Sequence, residues 1–328
     1  MGVGVDAEYR RSNRSGEGVK YPTKHSSPSS KQTLPKPSNI DVRSDDTGAN
    51  PFPDRVRTLK VMTYSLDQAT ELETIDDNLF RRAVDETWWN FDNAFGGWAA
   101  ATAYSAIKAH SDFRGELLSL NAVFPRPIKA GVLLVKTDLF ARRTQSDFWR
   151  VVLASEDAPD DPLVVFDIVM GRKRSLDEDS FEKIPPDAPE PSTVELMNMQ
   201  GMGPVWLQHY EQRPFVGTPF TKNVRPTSCA WLSHKDGRPI DTKALIALSD
   251  TPMPRVFFTS TTPRFGSTIS FSVSSVCGDD VLATLETKRV LLEADSRSVG
   301  RGSYDQLVNI WSECGTLLSV SNQTAVYR

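Results

Sequence analysis

The chain runs twice through the same order of local signals, and this repetition restricts its fold more than any other feature. In each half, from about residue 62 onward, a strand-like segment precedes one helical segment, and several strand-like segments follow it. Clusters of Pro, Gly and Asp separate these segments, as expected for turns between antiparallel strands. One central helix with a following run of strands, present twice, predicts an α+β protein in which each sheet wraps its own helix.

The first half begins with a β-rich run from Phe80 to Phe91. The sequence Phe95-Gly96-Gly97 then leads into an Ala-rich segment, Trp98 to Ile107, which contains no helix breaker and therefore predicts a helix. Four strands are expected after this helix, over residues 117–124, 131–140, 148–154 and 163–170.

The second half repeats the pattern, with a strand expected over residues 224–233 and a turn over 235–239. Asp241 is expected to cap a helix whose apolar residues recur at helical spacing until Pro252 stops it. Four further strands are expected over residues 267–276, 281–292, 304–311 and 317–327. A unit of this kind is called a hotdog, so the sequence predicts a double hotdog: two antiparallel sheets, each wrapped around a central helix.

The composition changes sharply along the chain, and this change sets the expected domains. Residues 1–55 are rich in Ser, Pro, Lys and Arg and are expected to form a disordered leader. An N-terminal hotdog is expected over 62–175, a linker over 176–215 and a C-terminal hotdog over 216–328. Two explanations of the leader stay open: a transit peptide, or an extension foreign to a natural protein that starts at Met62.

Charge and hydropathy exclude several classes of partner. The net charge of −4 and the pI near 5.7 provide no basic field, so no nucleic-acid partner is expected. No apolar stretch of about 18 residues and no secretory signal are present, which predicts a cytoplasmic protein without a membrane span. The odd number of cysteines and the scattered histidines predict reduced thiols, no metal site and no cofactor.

Three short motifs in the second half carry chemistry in a consistent order. Asp250 follows Ser249 late in the predicted helix, Thr268 precedes Ile269 in the next strand, and Gln323 lies in the last strand. These residues resemble the motifs of the type II acyl-CoA thioesterases, which are double-hotdog enzymes, and the likeness covers roughly residues 62–328. Phe95-Gly96-Gly97 and the Arg-Pro pair after Phe124 resemble that family's fold motifs. The segment 142–146 departs from the Gly and Ser that the family carries there.

The resemblance implies hydrolysis of an acyl-CoA thioester, a reaction of lipid metabolism. Asp250, in an apolar pocket that raises its pKa, would take a proton from the attacking water. Thr268 and Gln323 would orient this water or donate to the oxyanion. Direct attack by Asp250 through a mixed anhydride is the rival mechanism. The helix from Trp98 to Ile107 contains no carboxylate, so one active site per chain is expected, with the N-terminal hotdog completing its pocket.

Alternatives to this hypothesis stay open at the level of the sequence. Asp250 could simply end a helix before a turn, Thr268 could lie on a solvated strand face, and Gln323 could be a surface amide. A hydratase acting on enoyl-CoA is disfavoured because the helix around Asp250 contains no histidine. A non-catalytic protein that binds acyl-CoA or an acyl carrier, with an accessory role in lipid or secondary metabolism, is the main rival. The resemblance also implies a homo-oligomer.

Overall fold

The structure of the protein is a computed structural model that describes residues 63–172, 179–198, 201 and 203–328. The predicted leader over residues 1–55 lies outside the described residues. Among the described residues, no helix has the length and apolar character that crossing a membrane requires.

The elements of the first half follow the predicted order of one central helix and then four long strands. They are α1 (Ser65–Ala69), β1 (Glu73–Asp76), β2 (Leu79–Ala83), β3 (Trp89–Asn90), β4 (Asn93–Ala94), α2 (Gly96–Ala109), β5 (Glu116–Val123), β6 (Val132–Arg142), β7 (Ser146–Ser155) and β8 (Ala158–Gly171).

The elements of the second half repeat this order around a shorter central helix. They are β9 (Tyr210–Val216), β10 (Ser228–His234), α3 (Thr242–Leu248), β11 (Gly266–Ser275), α4 (Asp279–Leu285), β12 (Arg289–Asp295), β13 (Val299–Gly300), β14 (Ser303–Ser312) and β15 (Leu317–Tyr327). Short 3-10 turns occur at Glu86–Trp88, Pro191–Thr193, Val205–His209 and Arg255–Phe258.

Within the described residues, thirteen strands form one antiparallel sheet. Its order is β1-β2-β6-β7-β8-β5-β11-β15-β14-β12-β10-β9, with β13 paired to β14. The first six strands come from the first half of the chain and the last six from the second. The two halves meet where β5 pairs with β11, and each of these strands is the first long strand after a central helix. The sheet therefore has the same topology on both sides of the seam, and the predicted double hotdog is confirmed.

The two central helices lie in the core. Ten residues of α2 are buried, because a helix that is apolar on every side must be covered on every side. Its many alanines let neighbouring backbones approach closely, and α2 packs against α3. Asp241 caps α3 by accepting a hydrogen bond from the backbone N–H of Ala244, as the sequence predicted. In the core, the N-terminus of α2 thus lies against the C-terminus of α3.

One predicted strand is wrong. Residues 281–292 were expected to be a single strand, whereas the structure has α4 over Asp279–Leu285 and then β12. Asp279 and Asp280 stand in the first turn of α4, where negative charge stabilises a helix. Glu286 adopts a left-handed backbone conformation (φ 47°) and ends the helix. These local signals outweigh the strand propensity of the Val and Leu residues.

The strand β9 was not predicted. It starts within the segment assigned to the linker and pairs with β10 along its length, where Tyr210 lies opposite His234. The proposed boundary between linker and C-terminal hotdog, at residues 215 and 216, stays a prediction.

Candidate active site

Asp250 lies just beyond the C-terminus of α3. The helix ends at Leu248, and the backbone N–H of Ser249 and that of Asp250 still donate to carbonyls of the last turn. The hydroxyl of Ser321 on β15 lies 3.4 Å from the Ser249 carbonyl oxygen and donates to it. Asp250 is thereby held by its own helix end and by the sheet, and its side chain is partly buried.

The carboxylate of Asp250 points at the N-terminus of α2, which belongs to the other half of the chain. The backbone N–H of Gly97 donates to Asp250 Oδ2 at 2.7 Å. The first amide groups of a helix have no partner within it, and Phe95 at the N-cap offers no side-chain acceptor. Asp250 therefore takes the place of the missing cap across the two halves.

The close approach of the two helix ends depends on a pair of glycines. A Cβ on Gly96 would lie 2.7 Å from Asp250 Oδ2, and a Cβ on Gly97 would lie 2.6 Å from the Ala247 carbonyl oxygen. A side chain at Gly96 would thus displace the Asp250 carboxylate, and one at Gly97 would collide with the backbone of α3. The Gly-Gly pair, which the sequence analysis linked to the fold more than to the chemistry, thus also shapes the surroundings of Asp250.

Gln323 reaches Asp250 from the sheet. It lies on the inner face of β15, with 3% of its surface exposed, and its side-chain amide Nε2 donates to Asp250 Oδ1. In the sheet Gln323 lies opposite Phe271 of β11 on one side and Gln306 of β14 on the other. The predicted meeting of Asp250 and Gln323 is thus present in the geometry.

Thr268 lies on the same face of the sheet but bonds to neither residue. It pairs with Ala325, two positions along β15 from Gln323, and an irregularity in β11 between Thr268 and Ser270 keeps its side chain on the inner face. Within the described part of the chain its hydroxyl makes no hydrogen bond. The structure therefore brings two of the three predicted side chains together and places the third on the same face of the sheet, opposite the second residue after Gln323.

Burial raises the pKa of the Asp250 carboxyl to about 7. Desolvation of the charged form is the main cause, and the hydrogen bonds from Gln323 and Gly97 oppose it by stabilising the carboxylate. Aromatic rings surround this end of α2, including Phe95 stacked on Trp206 with ring centroids 4.3 Å apart. Asp250 is consequently divided between its acid and base forms near neutral pH.

A cleft of about 1040 Å³ lies at the other ends of the central helices. Its lining includes Tyr104 and Lys108 of α2, Thr242 of α3 and Asp279 of α4, but not Asp250. The described residues contain no group of three or more His, Cys, Asp or Glu side chains arranged to hold a metal ion.

Two contributors were missed by sequence reasoning, Gln306 and Arg255. Arg255 donates to the side-chain carbonyl of Gln306, and Gln306 donates to that of Gln323. Their link to Asp250 depends on the register between β14 and β15, and no motif in the sequence signals it.

Comparison with known proteins points to one family. Residues 85–171 match the family described as acyl-CoA thioesterase N-terminal domain, and residues 181–327 match acyl-CoA thioesterase C-terminal domain. A search of curated proteins finds no match.

Solved structures share the fold. A conserved hotdog protein of unknown function from Alicyclobacillus acidocaldarius is 25% identical, with a TM-score of 0.76 over 81% of this chain and 99% of the other. An acyl-CoA thioesterase II from Mycobacterium marinum is 17% identical, with a TM-score of 0.63 over 80% of this chain and 98% of the other.

Proposed function

This chain belongs to the acyl-CoA thioesterase family, and we propose that it hydrolyses acyl-CoA to a free acid and CoA. One observation carries the proposal: the partly buried Asp250, with its pKa raised to about 7, is held between Gln323 and the N-terminus of α2. A carboxylate with a pKa near the working pH is a suitable general base.

In the proposed reaction Asp250 takes a proton from a water molecule as the water oxygen bonds to the thioester carbonyl carbon. The resulting oxyanion is stabilised by hydrogen-bond donors, and the N-terminus of α2 is suited to this role through its amides other than that of Gly97, which donates to Asp250. The C–S bond then breaks, and Asp250 returns its proton to the departing CoA thiolate. Gln323 holds the carboxylate, and Thr268, on the neighbouring strand, supplies a hydroxyl that orients the water.

The geometry favours water as the nucleophile over Asp250 itself. Each carboxylate oxygen of Asp250 already accepts a hydrogen bond, one from Gly97 and one from Gln323, and direct attack would have to draw one oxygen away from its donor. Single-turnover hydrolysis in oxygen-18 water tests the choice. We expect the label in the released acid, whereas label in Asp250 and not in the acid would establish direct attack.

A series of acyl-CoA substrates of increasing chain length, assayed by the release of free thiol, tests the proposed function. We expect turnover with at least one member of the series. Binding without turnover across the series would support the non-catalytic accessory role instead.

The rate of hydrolysis is expected to rise with pH through about 7. Asp250 acts as a base only when ionised, so kcat/KM should fall about tenfold for each pH unit below its pKa and level off above it. The measurement is a pH–rate profile with one acyl-CoA under kcat/KM conditions. A profile that is flat from about pH 5 to about pH 9 would exclude Asp250 as the base.

Gly96→Ala is expected to lower kcat/KM by about 10²-fold, because its new methyl group displaces the Asp250 carboxylate. Gly300→Ala is the matched control, since a Cβ at Gly300 meets nothing within 4 Å. Both proteins should keep the far-ultraviolet circular dichroism of the parent chain. Equal activity of the two variants would show that the approach of the helix ends does not matter for catalysis.

A further inference from the structure

We propose that Arg255 and Gln306 are positioning residues that hold the Gln323 side chain with its NH₂ group toward Asp250. The inference rests on the proposed role of Asp250 as the base. It assigns these two residues an effect on when Asp250 is ionised, beyond any part they play in stability.

Four side chains form one continuous series of hydrogen bonds. Arg255 Nε donates to Gln306 Oε1 at 2.9 Å, and Gln306 Nε2 donates to Gln323 Oε1 at 3.1 Å. Gln323 Nε2 then donates to Asp250 Oδ1. We call this series the amide relay.

The amide relay is shielded from water by its position in the fold. Gln306 and Gln323 lie directly opposite each other on β14 and β15, with exposed fractions of 1% and 3%. Arg255 has no exposed surface. Bulk water therefore does not compete for the bonds among Arg255, Gln306 and Gln323, whereas the Asp250 end of the relay is partly exposed.

The direction of every bond in the amide relay follows from Arg255. A guanidinium group has only donors, so it must meet the carbonyl oxygen of Gln306. The NH₂ group of Gln306 is then left to donate to the carbonyl oxygen of Gln323. That in turn leaves the NH₂ group of Gln323 for Asp250, which can accept as a carboxylate.

The other partners of Arg255 leave it no freedom to turn. Its remaining donors are taken by the carbonyl oxygens of Met253, Pro226 and Ala294 and by the Ser228 hydroxyl. All are neutral, and among the described residues no carboxylate contacts Arg255. Desolvation lowers the pKa of Arg255 to about 10, so the group is still charged at neutral pH. An isolated buried cation is costly to the fold, which is consistent with a role at the site.

Reversal of the amide relay would oppose catalysis. A reversed Gln323 would present its carbonyl oxygen to Asp250, and two acceptors would then face each other unless Asp250 were protonated. The observed direction thus favours the ionised form that a general base requires.

Other titratable side chains near Asp250 do not obscure its titration. Tyr210 of β9 and Tyr304 of β14 interact with Asp250 electrostatically, and burial raises the pKa of both phenols well above neutrality. Burial also lowers the pKa of His209, and lowers that of His234 on β10 to about 4. Near pH 7 the two phenols and His234 are therefore neutral, and the charge that changes next to Gln323 is that of Asp250.

Gln306→Glu tests the amide relay, because a carboxylate pairs with Arg255 but cannot donate to Gln323. Gln323 should turn its NH₂ group toward the new carboxylate, and the acid limb of the pH–rate profile should move up by about one pH unit or more. Activity is then expected to be reduced about tenfold at pH 6 and to recover toward that of the parent chain above about pH 9. A purely structural role would lower the rate equally at every pH.

Two further variants separate the effect of the hydrogen-bond direction from the effect of the added negative charge. Gln208→Glu adds the same charge at an exposed position and should leave the limb unmoved. Gln306→Met interrupts the amide relay without adding charge, and its limb should move up by less than that of Gln306→Glu. The proposal would be overturned if the acid limb of the pH–rate profile stayed in place in both Gln306 variants, or if it moved in Gln306→Glu alone.

A second readout needs no substrate. The free energy of unfolding of each protein is compared with that of its Asp250→Asn derivative as a function of pH. This difference reports the protonation of Asp250 and should reach its plateau at higher pH in the Gln306→Glu background. A shifted plateau without thioesterase activity in the parent chain would support the amide relay and refute the proposed function. Hydrolysis by the parent chain, with no shift of the plateau in the Gln306→Glu background, would support the proposed function and refute the amide relay.

Discussion

Asp250→Asn is expected to lower the rate of acyl-CoA hydrolysis by about 10²- to 10⁴-fold, the usual contribution of a positioned general base. The amide has nearly the shape of the carboxylate and can still accept from the Gly97 N–H, so the fold should persist. An Asn side chain cannot take a proton from water, and for that reason the loss should appear in kcat. The measurement is the release of free thiol at pH 8 under saturating substrate.

The same variant is expected to be more stable than the parent chain above pH 7. The pKa of Asp250 is raised on folding from 3.8 to about 7, so ionisation destabilises the folded state between these two values. This cost grows as the pH rises from about 4 and is complete above about 7. We expect Asp250→Asn to raise the free energy of unfolding by about 1 to 3 kcal/mol at pH 8. The gain is less than the full shift implies, because the side chain is partly exposed and the Asn NH₂ group cannot accept the hydrogen bond from Gln323.

Asp241→Asn provides a matched control at the other end of α3. The pKa of Asp241 is lowered: hydrogen bonds and charge attraction from Arg238 outweigh the opposing desolvation. Its carboxylate stabilises the fold above its unfolded pKa and loses this effect in acid, so Asp241→Asn should destabilise the protein at pH 8. A loss of stability in Asp250→Asn as well, with unchanged hydrolysis, would mean that Asp250 serves only as a helix cap.

Gln323→Ala is expected to lower kcat/KM by about 10²-fold, because the Asp250 carboxylate loses the donor that holds it in position. It also removes a hydrogen bond that lowers the pKa of Asp250, so the remaining activity should require a higher pH. Asn322→Ala, on the exposed outer face of the same strand, is the control and should be as active as the parent chain. The measurement is kcat/KM at several pH values.

The double variant with Asp250→Asn sharpens this prediction. Residues that act as one unit show strongly non-additive effects, so adding Gln323→Ala to Asp250→Asn should cost little more activity. If the double variant lost the product of the two single-variant factors in activity, Gln323 would act on the substrate independently of Asp250.

The repeated topology was predictable because turns and helix ends have strong local chemistry. The breaker-free segment starting at Trp98 and the capping Asp241 are local features, and both led to helices that the structure contains. The strand predicted over 281–292 failed for a related reason. Val and Leu fit both a strand and a short helix, and the acidic first turn of α4 decided between them.

The contacts between elements were predictable only in part. Family motifs pointed to Asp250 and Gln323, whose side chains meet in the structure. The partnership of Gly97 with Asp250 spans the two halves and depends on how the central helices pack. The position of Thr268 depends on an irregularity in β11, which an unbroken alternation of residue types did not indicate. The amide relay likewise follows from strand register rather than from any motif.

The protonation state of Asp250 can be observed without a substrate. Infrared difference spectra between the parent chain and Asp250→Asn, recorded from about pH 5 to about pH 9, isolate the carbonyl band of the protonated carboxyl group. We expect this band to disappear with a midpoint near pH 7. A midpoint near pH 4, the value of an ordinary solvated aspartate, would mean that Asp250 is not the base described above.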